Sequence, residues 1–365
     1  MSASQLLRLL CVLAPAVAAG QQWQMQYFYD QAKSVLLIGD MAILSPKRGI
    51  AVGVIREGTH QKPVAVVTSD GGATWARQPL QEVPVSLFFL NDSLGWMVTE
   101  KGIWQTTEGG RDWRKLTKPP APALRVHFWD ENHGIAACMK KTVLETFDGG
   151  RKWKPVAAAS TLPGAPERSA YTWIAFGNAR YGLITGFNRP IDRWTSLFPT
   201  WLDPEDALSH RETPHLGYAL STVDGGKTWV ASSASLIGQV SRVRLQPDGN
   251  GLGLIEYADS FRYPSEAYRL DWKTGKSETV FRDKRYALTD IWFGGDGSAY
   301  LGGIEVRGAV RSVTPGRVRV FQSRDLKGWV EMKVDYRAEA GRVTFAGSGT
   351  DLWLATDNGM ILKLK

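Results

Sequence analysis

An apolar residue followed six positions later by glycine and a second apolar run recurs along the chain. The pairs are Ile43 and Gly49, Phe89 and Gly95, Phe128 and Gly134, Phe176 and Gly182, Leu245 and Gly251, and Ile291 and Gly297. A last copy, Phe345 and Asp351, keeps the spacing without the glycine. Two short apolar runs joined by a turn signal predict a pair of antiparallel strands. Seven copies therefore predict seven similar units, each beginning with a strand, a short turn and a second strand.

A second repeat, which we call the turn box, follows four of these units with the spacing Thr-x-acid-Gly-Gly-x-x-Trp. Its copies occupy residues 68–75, 106–113, 146–153 and 222–229. Glycine supplies positive φ at a hairpin turn, and an acidic side chain can accept backbone N–H bonds across it. The tryptophan begins the next strand and can cover the turn. We therefore expect a structural role for the acids and tryptophans of the boxes, which are Asp70, Trp75, Glu108, Trp113, Asp148, Trp153, Asp224 and Trp229.

The spacing of the boxes raises the question of an eighth unit. Trp153 and Trp229 lie 76 residues apart, twice the 38 residues between Trp75 and Trp113. Only one strand-turn-strand signature, around Phe176, occurs in that interval, so we interpret the excess as an insertion at residues 188–216 in the fourth unit. The fifth and sixth units keep only degenerate boxes that match the spacing in part, at Asp271 to Gly275 and Ser323 to Trp329.

The chain ends after the third strand of its seventh unit, because Trp353 and Gly359 align with Trp96 and Gly102 of the second unit. The segment beginning at Trp23 has the placement of a fourth strand ahead of the next unit. Closing a ring in this way removes two unpaired strand edges. The predicted fold is thus an all-β, single seven-bladed β-propeller over residues 21–365, with four-stranded antiparallel blades closed by the N-terminal strand.

The composition, with 43% hydrophobic residues, 38 Gly and 15 Trp in 365 residues, is that of a folded, turn-rich chain. Residues 1–20 carry Arg8, an apolar run and small residues near Ala18, which predicts a signal peptide. Its removal would leave Cys138 as the single thiol, so no internal disulfide is expected. No later stretch has the roughly 20 apolar residues of a transmembrane helix. We therefore expect an exported protein, secreted or periplasmic, without a transmembrane segment.

The formal net charge is +8, a modest excess without the clustered Lys and Arg runs of a nucleic-acid groove. Together with the predicted export, this argues against a nucleic-acid partner.

The boxes resemble those of the Asp-box or BNR-repeat family, whose motif is Ser/Thr-x-Asp-x-Gly-x-Thr-Trp. Residues 68–75 and 222–229 match it fully, whereas the second box departs at Glu108 and Asp112 and the third at Lys152. With the seven units, the whole mature chain looks most like the exported photosystem II assembly/stability factor type of propeller. That resemblance implies a non-catalytic, protein-binding scaffold that assists assembly or stability of a membrane-associated complex. It implies the thylakoid lumen as the compartment if the source is photosynthetic.

The same box occurs in sialidases, so a glycan-binding or sialidase-like glycoside hydrolase propeller is the alternative. The sialidase-like segment Phe-Arg-Ile-Pro has only a distant counterpart at residues 261–264, placed far downstream. A glycosidase needs two carboxylates facing one bond. The insertion offers Asp203, Glu205, Asp206 and Glu212, which we interpret as solvated loop acids. His210 and His215 make a weak metal signal, so we predict no catalytic residue, metal or cofactor, and favour a non-enzymatic function.

In four-stranded blades, the loops between second and third strands lie with the blade-to-blade links on one face, opposite the boxes. Long loops on a rigid scaffold commonly carry binding sites. The long loops here are residues 56–63, 188–216, 258–265 and 305–317. We expect a monomer that binds a protein, such as a subunit of a membrane complex, on this face, with a glycan as the alternative ligand. The candidate binding residues are Arg189, Arg193, Trp194, Trp201, Arg211, Arg262 and Arg311. An open alternative is that the aromatic residues of the insertion plug the central channel or cover a neighbouring blade.

Overall fold

The computed structural model describes residues 21–189, 214–257, 263–271, 275–306 and 316–365. These residues form 30 strands, a four-residue helix at Ala157–Ser160 and a 3-10 turn at Pro166–Arg168. The predicted all-β class is confirmed. No helix in the described ranges is long and apolar enough to cross a membrane.

The strands form seven antiparallel blades. Blade 1 contains β2 (Val35–Ile43), β3 (Gly49–Glu57), β4 (His60–Thr68) and β5 (Ala76–Pro79). Blade 2 contains β6 (Pro84–Phe89), β7 (Gly95–Thr99), β8 (Gly102–Thr106) and β9 (Arg114–Lys115). Blade 3 contains β10 (Ala123–Phe128), β11 (Gly134–Cys138), β12 (Thr142–Thr146) and β13 (Lys154–Pro155).

The remaining blades follow the same order. Blade 4 contains β14 (Ser169–Phe176), β15 (Gly182–Asn188), β16 (His215–Thr222) and β17 (Val230–Leu236). Blade 5 contains β18 (Gln239–Leu245), β19 (Gly251–Glu256), β20 (Ser265–Asp271) and β21 (Lys276–Arg282). Blade 6 contains β22 (Tyr286–Phe293), β23 (Ala299–Glu305), β24 (Gly316–Ser323) and β25 (Val330–Glu331). Blade 7 contains β28 (Val343–Ser348), β29 (Asp351–Thr356), β30 (Met360–Leu364) and β1 (Gln22–Phe28).

The first strands of the blades form a closed circuit. Each contacts the first strand of the next blade, from β2 through β6, β10, β14, β18, β22 and β28, and β28 returns to β2. These strands therefore surround the central channel, and the predicted seven-bladed propeller is confirmed.

The N-terminal strand closes the ring as predicted. β1 pairs antiparallel with β30, with Trp23 opposite Leu364 and Phe28 opposite Met360. Trp23 is buried and its ring centroid lies 5.7 Å from that of Phe345 in the same blade. The first and last strands of the described chain are thus joined in one sheet.

Two short strands depart from the predicted count of four per blade. β26 (Lys333–Val334) pairs in parallel with the outer edge of β1, and β27 (Glu339–Ala340) pairs with β24. Blade 7 therefore has five strands. The link between blades 6 and 7 covers the edge that the closing strand would otherwise expose, which protects it from pairing with another chain.

The predicted spacing signature holds in the first five blades, where the apolar residue ends the first strand and glycine begins the second. The prediction for blade 6 was wrong by two residues, because Phe293 and Ala299 pair there, while Gly297 lies in the turn with φ +79°. In blade 7 a tighter turn pairs Ser348 with Asp351, so Phe345 lies opposite Leu354. In blade 6 the six-residue spacing is kept and the pair lies two residues later, whereas in blade 7 a shorter turn sets the register.

The turn boxes are hairpin turns, as predicted, and both of their glycines have positive φ. In the first box the Asp70 carboxylate accepts bonds from the Thr68 hydroxyl, the Thr74 N–H and the Thr74 hydroxyl at 2.5–2.9 Å. The box of residues 222–229 repeats this arrangement around Asp224. The Asp148 box keeps the bonds from Thr146 and from the Lys152 N–H.

The expectation that Glu108 holds its turn in the same way was wrong. The Thr106 hydroxyl still accepts the N–H groups of Glu108 and Gly110, at 3.1 and 3.0 Å. The longer carboxylate, however, points to Arg111, with 3.9 Å between Oε2 and Nη1. One extra methylene takes the carboxylate away from the turn amides.

The second glycine of each box allows neighbouring blades to approach closely. A Cβ atom built on Gly72 would lie 2.2 Å from Cη2 of Trp353 in blade 7, and one on Gly110 would lie 2.7 Å from Cδ1 of Ile50 in blade 1. The box tryptophans pack alongside. Trp75 lies edge-on to Trp353 with 5.8 Å between ring centroids. The boxes therefore join adjacent blades as well as adjacent strands.

The long interval before Trp229 contains one blade in the described part of the chain. β15 ends at Asn188 and β16 begins at His215, so residues 190–213 connect the second and third strands of blade 4. Asn188, His215 and Leu216, which the predicted insertion included, belong to these strands, and the strand ends at Asn188 and His215 lie on the face opposite the boxes. Residues 190–213 themselves lie outside the described ranges.

Candidate functional site

The first strands of blades 1 to 6 share an irregularity that places one residue of each at the same level of the channel. In each of them the pairing register skips one residue, four positions before the strand ends. Such a bulge re-aims the side chain beside it. The residues that follow the bulges, which we call the channel ring, are Asp40, Ser86, Arg125, Trp173, Arg242 and Asp290.

Part of the channel ring joins one blade to the next. The Asp40 carboxylate accepts bonds from the N–H groups of Met41 in its own strand and Leu87 in blade 2, both at 3.0 Å. Asp290 does the same for Ile291 and for Phe345 in blade 7, at 2.9 and 2.7 Å. The bonds from Met41, Ile291 and Phe345 are buried and the bond from Leu87 is partly buried, so the two aspartates satisfy backbone groups with little access to water.

Other members make similar connections through different atoms. The Ser86 hydroxyl donates to the carbonyl oxygen of Leu124 in blade 3 at 2.8 Å. The indole of Trp173 donates to the carbonyl oxygen of Val243 in blade 5 at 2.7 Å. Much of the channel ring is thus structural.

The three arginines around Trp173, which we call the arginine cluster, have a different character. Cζ of Arg125 lies 3.9 Å from the centroid of the Trp173 ring, that of Arg242 4.5 Å and that of Arg244 5.3 Å. Arg244 also lies over Trp292 at 4.5 Å. Stacking on an indole holds a guanidinium by cation–π attraction and leaves N–H donors at its edge for an anion.

Two carboxylates face this cluster. Arg125 Nη1 lies 3.4 Å from Asp40 Oδ2, and Arg242 Nε lies 3.2 Å from Asp290 Oδ1. Both carboxylates also accept hydrogen bonds from backbone N–H groups, so each divides its bonding between the backbone and an arginine. Three guanidinium groups against two carboxylates leave one positive charge in excess at the cluster.

The surroundings of the cluster disfavour the charged form of its arginines. Burial is the main cause that lowers the pKa of Arg125 to about 10; the neighbouring Arg242 and Arg244 act in the same direction and Asp40 in the opposite one. Burial likewise lowers the pKa of Arg244. The side chains remain accessible, with 22% of Arg125 and 14% of Arg242 exposed. A carboxylate entering the channel would relieve this like-charge crowding and find oriented donors.

His127 lies two residues beyond Arg125 in the same strand. It stacks on Phe176 with 4.4 Å between ring centroids and meets Phe88 edge-on at 4.9 Å. Burial lowers its pKa to about 4, so it is neutral at physiological pH. Beside the arginine cluster the channel therefore has an aromatic, uncharged wall.

An ion pair between Glu256 and Arg342 lies near Arg242 of the cluster. Arg342, just before β28, donates to both carboxylate oxygens of Glu256 at the end of β19, at 2.7 and 2.8 Å. Desolvation of Glu256 would raise its pKa, but Arg342 outweighs this and the net shift is downward. Both residues stand at strand ends on the face opposite the boxes, where binding was predicted.

Of the candidate binding residues from the sequence, only Arg189 lies in the described ranges. Its Nη2 donates to Gln239 Oε1 at 3.3 Å, and its Cζ lies 5.0 Å from the Phe187 ring. Arg193, Trp194, Trp201, Arg211, Arg262 and Arg311 lie outside the described residues, as do the acids of the insertion. Their role in binding stays a prediction.

Sequence reasoning missed the arginine cluster, although a signal was present. Each member of the channel ring lies three residues before the end of its first strand, so aligning the seven units exposes the position. Arg242 and Arg244 also alternate with Val243 along their strand, which directs both guanidinium groups to one face. That pattern places charge toward the channel and Val243 toward the core.

Two chemical alternatives find no support among the described residues. They contain no group of three or more His, Cys, Asp or Glu side chains arranged to hold a metal ion. Cys138 is buried, and burial raises the pKa of its thiol to about 12, which disfavours the reactive thiolate.

Neither a protein-family model nor a curated protein sequence matches the chain. Solved structures do. A structure described as "YCF48 bound to D1 peptide" superposes with a TM-score of 0.61 at 15% sequence identity, covering 93% of this chain and 94% of the other. YCF48 from Cyanidioschyzon merolae superposes with a TM-score of 0.57 at 15% identity, covering 93% and 98%. The resemblance expected from the repeats is thus confirmed at the level of the fold, which is that of a propeller similar to YCF48.

Proposed function

We propose that the protein is a non-catalytic scaffold that binds an acidic segment of another protein, with carboxylates of that segment reaching the arginine cluster. The observation that carries the proposal is the packing of three guanidinium groups around Trp173 against only two carboxylates. Arginine offers planar, paired donors that match a carboxylate. The rigid blades hold those donors in place before the ligand arrives, which reduces the ordering cost of binding.

The comparison adds to this proposal. YCF48 is described as bound to a D1 peptide, so a propeller of this architecture accommodates a peptide ligand. We extend peptide binding to this chain, and we propose assistance in the assembly or stability of a membrane-associated complex as its biological setting. The loop residues predicted from the sequence, Trp201 and Arg193 among them, would contact the remainder of the partner.

A defined-peptide titration tests the proposal. Fluorescently labelled D1 peptide and a set of synthetic acidic peptides, each with a matched set in which Asp and Glu become Asn and Gln, are titrated with the full chain at low and at high salt. We expect acidic peptides to bind more tightly than their amide counterparts and to weaken as salt rises, because the attraction is between charges. Replacing Arg125 and Arg244 together by Gln should reduce the affinity about tenfold or more.

Arg269→Gln is the matched control. Arg269 pairs with Glu278 on exposed outer strands of blade 5, 2.8 Å apart, away from the channel. This variant should bind like the unchanged protein. Equal binding of acidic and amide peptides, or unchanged binding by the double variant, would reject the arginine cluster as the site. Selective binding on a glycan array without peptide binding would favour the glycan alternative.

We also propose export, on the basis of the leader at residues 1–20. N-terminal sequencing of the native protein is expected to find a chain beginning near residue 21. A native chain that retains Met1 would contradict export by cleavage.

A further inference from the structure

An apolar cleft of about 530 Å³ lies between blades 4 and 5. On the blade 4 side it is lined by Leu183, Thr185 and Tyr218, and on the blade 5 side by Val240, Leu254 and Leu270. Its size falls within the range of about 300–1,000 Å³ that small-molecule sites occupy. It is separate from the arginine cluster and has no part in the proposed function.

Part of the cleft lies beside the third residue of the second strand of blade 5, a position that blades 2, 4 and 6 fill with a large residue and blades 1 and 3 with Ala51 and Ala136. The third residue of the second strand is Met97 in blade 2, Ile184 in blade 4 and Leu301 in blade 6, and each joins a buried cluster. Blade 5 has Gly253 at this position. The three atoms nearest to a Cβ atom built on Gly253 all belong to Leu270 of its own blade, at 3.6–3.8 Å, and no atom of blade 4 comes closer than these.

The surface of blade 4 that faces the cleft also carries small residues. Gly217 and Ala219 of β16 line the cleft. In blade 2 the residue equivalent to Ala219, counted back from the threonine that opens the turn box, is the buried Ile103. The buried cluster that joins blades 4 and 5 consists of Trp173, Ala175 and Val243 within the described residues, all on the first strands near the channel. Packing density is normally uniform in a protein interior, but between blades 4 and 5 it decreases with distance from the channel.

One polar atom in the cleft lacks a partner. Thr185 is only 5% exposed, and its Oγ1 makes no hydrogen bond. The two tyrosine hydroxyls of the lining are already engaged, since Tyr218 donates to the carbonyl oxygen of Pro163 and Tyr268 donates to Glu266. A buried hydroxyl without a partner costs free energy that a ligand oxygen would recover.

The lining also limits the charge of a ligand. All the described lining residues are uncharged, and Ser232, Ser233 and Ser277 supply the only other hydroxyls. Placing an ion among apolar side chains without a counter-charge is expensive. The ligand must therefore be neutral, and mostly apolar.

We propose that the cleft between blades 4 and 5 binds one neutral aromatic molecule carrying a single hydroxyl or carbonyl oxygen, which forms a hydrogen bond with Thr185. The rings occupy the space that Gly253, Gly217 and Ala219 leave open. The oxygen lies at Thr185, and the aromatic edge faces the leucines.

Calorimetric titration of the full chain with 1-naphthol, and with naphthalene as the analogue without oxygen, tests this assignment. We expect one molecule of 1-naphthol bound per chain and weaker binding of naphthalene. Thr185→Val keeps the shape and removes the hydroxyl, so it should weaken 1-naphthol about three- to tenfold, the scale of one hydrogen bond, and leave naphthalene unchanged. Gly253→Leu fills the cleft and should abolish binding of both compounds.

Gly328→Leu is the matched control, because a Cβ atom on Gly328 meets nothing within 4 Å and the residue lies in the turn before β25, away from the cleft. It should bind like the unchanged protein.

Hydrogen exchange of the unchanged chain provides a readout that does not depend on any variant folding, and 1-naphthol should protect β16 and β19. Absence of binding, undiminished binding by Gly253→Leu, or protection elsewhere would overturn the proposal. A Gly253→Leu variant that is more stable while the unchanged chain binds neither compound would show that the cleft is only a packing defect.

Discussion

At the scale of single residues, the turn boxes show how strongly one methylene matters. Asp70 and Asp224 each accept three bonds within their own turn, whereas Glu108 accepts none of the corresponding backbone bonds and points to Arg111. These bonds favour the ionised carboxylate. The pKa of Asp70 and that of Asp224 are lowered to about 2, and the largest cause is the hydrogen bond from the hydroxyl of Thr74 or Thr228, respectively.

This shift predicts a dependence of stability on pH. A carboxyl with a pKa of about 2 in the folded chain and 3.8 in the unfolded chain stabilises the fold above about pH 4, and this contribution disappears as pH falls toward 2. Replacing Asp70 and Asp224 together by Asn should therefore lower the melting temperature by a few degrees at pH 6 and by much less near pH 2.5. Thermal melts monitored by circular dichroism at both values measure the difference. Glu108→Gln, the control, should melt like the unchanged protein at pH 6, and an equal loss in the control would contradict the assigned roles.

Two glycines with positive φ, one inside a turn box and one outside the boxes, allow backbone strain to be separated from steric conflict. Gly72 has φ +92° and Trp353 directly above it, whereas Gly58 has φ +58° with nothing within 4 Å. Gly58→Ala should cost about 1–2 kcal/mol, the penalty for a Cβ atom in left-handed backbone. Gly72→Ala adds a collision between blades 1 and 7 and should cost about 3 kcal/mol or more. Urea unfolding of both variants measures the costs, and similar values would show that Trp353 moves aside.

At the scale of elements, the closing strand depends on one buried side chain. Trp23 is 1% exposed in the cluster that joins blades 6 and 7, whereas Phe28, at the other end of β1, is 47% exposed. Trp23→Ala should lower the free energy of unfolding by about 3–5 kcal/mol, and Phe28→Ala should cost about 1 kcal/mol or less. Urea unfolding curves measure both. Removal of residues 21–29 should be at least as harmful as Trp23→Ala, and an unchanged melting temperature after that deletion would contradict a stabilising role of the closure.

The sequence predicted the elements well where the local pattern decides them. The glycine turns set most hairpins, and the missing fourth strand of blade 7 identified β1 as its replacement. The short strands β26 and β27 were not predictable, because Lys333–Val334 and Glu339–Ala340 carry no alternation of their own and pair only because the ring brings β1 and β24 beside them. The sixth signature failed for a related reason. Ile291 and Gly297 have the right spacing, but the first strand continues to Phe293, which pairs with Ala299 at the same six-residue spacing while Gly297 lies in the turn.

The candidate site was less predictable than the fold. Arg125 and Asp40 are 85 residues apart in the chain and meet only because blades 1 and 3 face the same channel. The sequence pattern predicted binding in the long loops and assigned no binding residue to the first strands. A blade-by-blade alignment at the bulge would have placed arginine, tryptophan and aspartate at one level, but it would not have shown how many carboxylates face the arginines.

At the scale of the whole molecule, the channel ring joins stability to the proposed binding. Asp290 is completely buried, holds Phe345 of the next blade and lies beside Arg242. An acid that closes the ring therefore also neutralises part of the arginine cluster. Removing its charge should weaken the fold and strengthen anion binding at the same time, because the cluster then has a larger positive excess.

Asp290→Asn tests this coupling directly. We expect the free energy of unfolding to fall by about 2 kcal/mol or more, since an amide oxygen replaces two carboxylate oxygens that serve two N–H groups and a guanidinium. We also expect the variant to bind an acidic peptide more tightly than the unchanged protein, and the peptide to raise the melting temperature of the variant more, because a ligand stabilises the state that it binds. Asp92→Asn, in an exposed loop of blade 2, is the control and should change neither property. Lower stability with weaker peptide binding would mean that Asp290 orients Arg242 for the ligand rather than competing with it, and unchanged stability would remove Asp290 from the closure of the ring.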